Sequence, residues 1–220
     1  MSSVKLEKSQ NEHWLNSVLY LEPSLDVKTI CKAATPACRA SCLTNSGMMR
    51  MKVPTNARIK RTIMFLNTPE AFINQLTREI DNMVKRAAKD GKRLALRLNG
   101  TSDLNWSAIY TMYPDVQFYE YTKRPDIVKM ARSIPNLHVT FSRTERTKES
   151  TIRRVIESGT NVAVIFDDKK VQPQTFMGIK IIDGDKHDRR FEDTAGAIIG
   201  LKLKGTLKAK AIARSTGFAI

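Results

Sequence analysis

Acidic residues are scarce in this 220-residue chain: Asp and Glu number 22 against 37 Lys and Arg, a net charge of 37 − 22 = +15. That surplus points to an anionic partner, nucleic acid first and an acidic protein or anionic small molecule after it. Long apolar runs are missing. No stretch of 18 apolar residues occurs, so no transmembrane helix and no membrane partner are expected. Met1 to Gln10 is polar and holds no apolar run of signal-peptide length, so a cytoplasmic protein with reduced thiols is expected. No Gly-x-Gly-x-x-Gly follows the early strands, which removes the dinucleotide fingerprint. No P-loop and no Ser–His–Asp pattern stands out. Histidine is confined to His13, His138 and His187, none beside a cysteine. Cysteine is confined to Cys31, Cys38 and Cys42, and an odd count is a poor disulfide framework.

What is present is an alternation of elements. Residues 1–16 read as a polar lead-in, 17–205 as a single domain and 206–220 as a C-terminal tail. The run Ser17 to Leu21 predicts the first strand. Leu25 to Pro54 has no clean periodicity, holds all three cysteines and predicts a long loop with one helical turn near Cys38 to Leu43. Thr68-Pro69-Glu70 is a helix start, and Phe72, Ile73, Leu76, Ile80, Met83, Val84 and Ala87 follow at helical spacing up to Gly91. Strands are then predicted at 93–98, 116–121, 137–141, 162–166, 179–182 and 197–203. Helices fall between them at 106–113, 125–133 and 148–158. Alternating strands and helices mean parallel βαβ units. The expected fold is α/β, a TIM-like (βα) barrel or partial barrel with a cysteine-bearing loop after the first strand. Chemistry in such folds sits at the C-terminal strand ends.

The cysteines follow a C-x6-C-x3-C pattern. Three thiolates on one loop suit a soft metal or an iron–sulfur cluster, here a 4Fe-4S cluster held by Cys31, Cys38 and Cys42. Lys32, Arg39 and Arg50 place positive charge nearby. A closed zinc site needs a fourth ligand. The plain alternative is three small core residues without a ligand.

A three-cysteine loop after the first strand of a partial barrel resembles the radical S-adenosylmethionine superfamily. That resemblance implies S-adenosylmethionine as a cofactor beside the cluster. The chain departs from the superfamily's C-x3-C-x2-C spacing. It carries Arg97-Leu98-Asn99-Gly100-Thr101-Ser102-Asp103 where Gly-Gly-Glu would stand. Four runs carry a closer resemblance over residues 18–205: Ala34 to Cys38, Arg97 to Asp103, Tyr121 to Pro125, and Asp183 to Asp188. They resemble the gene-product-88-like family of bacteriophage proteins, which implies a phage origin and the host cytoplasm.

Two polar runs at strand ends are candidate cofactor-binding groups. One is Asn99, Thr101, Ser102 and Asp103. The other is Asp183, Asp185 and His187, whose carboxylates also suit a hard metal and whose Asp-Gly pair suits a solvated turn. Tyr119, Tyr121, Lys123 and Arg124 mix rings with cations. Arg143, Arg146, Arg153, Arg154 and the lysines of the Lys202 to Lys210 stretch form the basic groups a nucleic acid would meet. Three functions are open on these residues: an iron–sulfur protein with radical or redox chemistry, a basic nucleic-acid-binding module with a structural zinc, and a phage protein that binds a host partner.

Overall fold

The computed structural model of the chain describes residues 7–26 and 28–220. Strands β1 (Glu7–Gln10) and β2 (Trp14–Val18) come first, then a two-residue hairpin of β3 (Ser24–Leu25) and β4 (Lys28–Thr29). Helices α1 (Pro36–Ala40), α2 (Lys52–Asn67) and α3 (Pro69–Lys89) follow. The alternating part is β5 (Arg93–Arg97), α4 (Ser107–Met112), β6 (Gln117–Thr122), α5 (Pro125–Ala131), β7 (Leu137–Ser142), α6 (Glu149–Glu157) and β8 (Asn161–Phe166). The chain continues through β9 (Thr175–Phe176), β10 (Ile179–Asp183), β11 (Ile198–Lys202) and α7 (Leu207–Ser215).

Two compact units share these elements. Of the described residues, one comprises 7–26, 28–32, 50–120 and 131–138, the other 33–49, 121–130 and 139–220. In the first, β2 pairs parallel with β5, and β5 with β6, while β1 runs antiparallel along β2. Helix α3 covers this sheet with Phe72, Leu76, Ile80, Met83 and Ala87, all buried at helical spacing. Each full burial of such a side chain contributes about 1.5–3 kcal/mol. Trp106 and Phe72 join the same core, with ring centroids 6.3 Å apart. In the second unit β7, β8, β11 and β10 run parallel in that order and β9 closes the edge antiparallel.

The sheet is open, so the expected TIM-like barrel is corrected. A barrel lays each strand beside its predecessor and joins last to first. Here β11 slips between β8 and β10, which reverses the winding. Among the described residues β1 pairs only with β2 and β9 only with β10. The cysteine-bearing segment is also not one loop after the first strand. Cys31 follows the β3–β4 hairpin, Cys38 lies on α1, and Cys42 precedes a short 3-10 turn at Leu43–Asn45. Residues 207–215, expected as tail, form α7, and Ile220 is tied to the β8 backbone by Ile220 N–H to the Ile165 carbonyl at 3.1 Å.

Candidate functional site

The Asn99–Asp103 run follows β5 and is buried throughout. Its polar atoms are engaged locally. Asn99 Nδ2 donates to the Leu104 carbonyl at 3.0 Å. Its Oδ1 accepts from Ser102 Oγ at 2.8 Å, Leu104 N–H at 2.9 Å and Trp106 Nε1 at 3.2 Å. Thr101 Oγ1 donates to the Leu21 carbonyl at 2.5 Å. Gly100 lies so close to the preceding strand end that a Cβ there would meet the Leu19 carbonyl at 2.7 Å and the Tyr20 ring at 2.6 Å. The Asn99 bonds fold the segment after β5 on itself, while the Thr101 hydroxyl and the Gly100 N–H, donating to the Leu19 carbonyl at 3.0 Å, tie it to the segment that follows β2. Buried polar groups stay only where they are paired in this way.

Beneath the run lies Glu120, a carboxylate that the composition gave no reason to single out. It accepts Leu98 N–H at 2.8 Å, Asn99 N–H at 2.9 Å and the Tyr110 hydroxyl at 3.0 Å. Burial pushes it up from 4.5 to about 7, against the pull of the two N–H groups, Arg97 and Tyr110.

The second candidate run belongs to the other unit. Asp183 Oδ1 accepts Asp185 N–H at 3.0 Å, an Asx turn. Asp185 accepts Lys202 N–H at 2.8 Å and Lys204 Nζ at 2.7 Å. Partial burial works to raise Asp185, but Lys204 and the Lys202 N–H outweigh it and hold the carboxyl below its usual range. His187 accepts Arg190 through its carbonyl. Arg190 is fully buried, and its Nε faces Asp193 Oδ2 at 3.2 Å. Asp193 is raised by burial in spite of Arg190 and His187. Gly184 makes room for that guanidinium, since a Cβ there would sit 2.9 Å from Arg190 Nη1. Asp183, Asp185 and His187 thus buttress a buried ion pair and the strand end of β11.

All three cysteines are free thiols. Cys31 is buried in the first unit, its N–H donating to Thr29 Oγ1 at 3.2 Å. Cys38 and Cys42 belong to the second unit. Helix α1 forms because Thr35 caps it, accepting Cys38 N–H at 3.2 Å, with Pro36 in the first turn. Thr35 Oγ1 also donates to Glu145 Oε2 at 2.8 Å, beyond the end of β7. Arg39 reaches back to the Ala34 carbonyl at 3.1 Å and 3.2 Å. Cys38 packs against Ala37, Leu203, Ala213, Phe218 and Ala219. Burial raises its thiol, and the charges of Cys42 and Glu145 add to that. Lys123, after β6, works the other way through its charge and a hydrogen bond to Cys38.

Cys38 and Cys42 stand out in the sequence as part of the cysteine run and Lys123 only as part of the Tyr119–Arg124 run, while Thr35 and Glu145 carry no sequence expectation. An N-cap signal at Thr35-Pro36 was present in the sequence; the pairing with Glu145, 110 residues away, has no local trace. Of the expected basic groups, Arg143 is committed inside the unit, its Nη1 donating to the Gly217 and Phe218 carbonyls at 2.9 Å and 3.0 Å. Lys204 is paired with Asp185, and Lys210 with Asp168. Arg146, Lys148, Arg153 and Arg154 are exposed.

Among the described residues, no three His, Cys, Asp or Glu side chains gather as a site for a single metal ion. A four-iron cluster is broader than an ion and spaces its thiolates farther apart. The chemistry on the page is three free thiols, of which Cys38 and Cys42 lie within reach of each other's charge, with the Lys123 ammonium beside Cys38. No helix among the described residues is long and apolar enough to cross a membrane. A family model described as Gene product 88 matches residues 2–220. No curated protein and no solved structure matches the chain.

Proposed function

We propose that the chain, which belongs to the Gene product 88 family of bacteriophage proteins, is an iron–sulfur protein that carries a 4Fe-4S cluster on Cys31, Cys38 and Cys42. The observation that carries this reading is the Cys38 surroundings: a free thiol coupled to Cys42, held at the C-terminal strand ends with the Lys123 ammonium against it. A cluster brings net negative charge, and Lys123 offsets it at the ligand itself. Thr35 and Glu145 fix the helix that carries Cys38, and Cys38 packs against the buried cluster of Ala37, Leu203, Ala213, Phe218 and Ala219. When bound, such a cluster supplies one-electron chemistry.

Anaerobic purification with iron, sulfide and zinc analysis tests the reading. About four irons and matching sulfide per chain are expected, falling sharply in Cys38→Ser. One zinc per chain without sulfide would sink it. Adding S-adenosylmethionine to the reduced protein then separates two versions. A changed EPR signal marks a radical-type enzyme, and an unchanged one with the cluster intact a redox or structural role.

A second reading, association with nucleic acid in the host cytoplasm, is supported by the exposed Arg146, Lys148, Arg153 and Arg154 around α6 together with the +15 charge. It predicts weak, sequence-independent binding that weakens steeply with salt. Replacing Arg146, Arg153 and Arg154 with Ala should reduce a low-salt gel shift without changing iron content. An unshifted wild-type complex would end this reading.

A further inference from the structure

Helix α2 turns cations inward. Its buried positions are Arg58, Arg61 and Thr62, where a surface helix ordinarily buries an apolar stripe. Thr62 Oγ1 accepts Glu22 N–H at 2.7 Å, and Arg58 Nε donates to Glu22 Oε2 at 3.0 Å. Arg61 Nη1 donates to the Tyr20 carbonyl at 3.1 Å. All three side chains therefore reach the segment that follows β2, at the carboxyl end of that strand.

A third guanidinium arrives at the same end from the neighbouring strand. Arg97 closes β5, and its Nη2 donates to the Gly100 carbonyl at 3.4 Å. A Cβ on Gly100 would meet the Tyr20 ring at 2.6 Å, so Gly100 lies against that ring. Tyr20 thus stands between two cations: its carbonyl takes Arg61, and the carbonyl of the glycine on its ring takes Arg97.

Solvent reaches this end of the sheet selectively. Arg61, Arg97, Thr101 and Ser102 keep 6–8% of their surface, whereas Leu19, Leu21, Leu96 and Leu98 keep none. The polar groups alone face the opening. In open α/β sheets ligands enter at the carboxyl ends of the strands. The charge there is lopsided. Arg58, Arg61 and Arg97 meet the carboxylates of Glu22, Asp103 and Glu120, and burial raises Glu120 to about 7. With Glu120 protonated, three cations face two carboxylates, and charge is stable inside a protein only when it is matched.

We propose that this end of the sheet binds the carboxylate or phosphate of a small molecule at Arg61 and Arg97. A guanidinium presents a planar fork of N–H donors that matches either group, and one added anion levels the charge. With so little surface open, the site admits one small group and not a duplex backbone or a protein face. It is independent of the cysteines and of the exposed cations around α6.

The full-length chain is titrated with inorganic phosphate, AMP and citrate, at an ionic strength held constant with sodium chloride. Saturable binding of at least one probe, one per chain, is expected. A preference for citrate marks a carboxylate ligand, and a preference for phosphate or AMP a phosphate ligand. The Arg Nε–H resonances of the wild-type chain report the place: those of Arg61 and Arg97 should shift, and those of Arg146 and Arg153 should not. Arg61→Lys and Arg97→Lys keep the charge and lose the fork, and each should weaken binding about tenfold or more. The resonances need no variant, so the test stands even where a lysine variant is unstable. The proposal fails if no probe saturates below about 10 mM. It fails equally if the shifts fall on Arg146 and Arg153 instead, or if both lysine variants bind as the wild type does.

Discussion

Glu120 shows what a single buried acid does to a fold. Its carboxyl is raised from 4.5 to about 7, chiefly by burial. The folded protein therefore holds a proton that the unfolded chain releases earlier. Between about pH 4.5 and about 7 the native state binds more protons, so stability falls as pH rises and levels off once both states are ionised. Glu120→Gln mimics the protonated acid but cannot accept both N–H groups of Leu98 and Asn99 as well. The variant should be less stable than wild type near pH 5. Its deficit should shrink as pH rises toward 7, read from urea midpoints across that range. A deficit that stays constant with pH would mean that Glu120 ionises in the native state as it does in the unfolded chain.

At the scale of elements, legibility followed the driving force. Helix α3 was predicted to within two residues because water expulsion writes a period into Phe72, Leu76, Ile80, Met83 and Ala87. Strands β5, β6, β7, β8, β10 and β11 were equally readable from their apolar runs, whereas the two-residue β9 was not. Helix α2 was not, because its fully buried positions are Arg58, Arg61 and Thr62, bonded to Glu22 and Tyr20, and the Phe65 ring that packs on Phe72 and Trp106 sits near one end, so no apolar period runs along it. The candidate site divides the same way. The cysteines were visible as a cluster, whereas Glu145 and Glu120 act through partners that only the fold brings near. If ion pairing holds α2, Arg58→Met should cost about 2–3 kcal/mol, because it leaves the Glu22 carboxylate partly buried without its guanidinium. Adding Glu22→Gln should recover much of that loss. Urea unfolding with an unchanged m-value measures both, and a single-variant cost below about 0.5 kcal/mol would show that packing, not charge, seats the helix.

For the whole molecule the dominant quantity is the +15 surplus. Self-repulsion of that size destabilises a compact state, and salt screens it. The melting temperature should rise by a few degrees as sodium chloride is raised from low to physiological ionic strength, while nucleic-acid binding, if present, falls. A melting temperature that drops over that range would place the net stabilising weight on attractive surface pairs such as Arg214 with Asp167 and Asp168. The bracing of α1 by α7 has a consequence in time as well as in space. Ser41 Oγ donates to the Ala209 carbonyl, 168 residues downstream, and Cys38 packs against the buried cluster to which Ala213 and Phe218 belong. A ribosome adds about 5–20 residues per second, so on the order of ten seconds or more separates synthesis of the cysteines from that of the helix that seats them. Throughout that interval the thiols of Cys38 and Cys42 ride on an unbraced nascent segment, open to the solvent and its oxidants until α7 has been made.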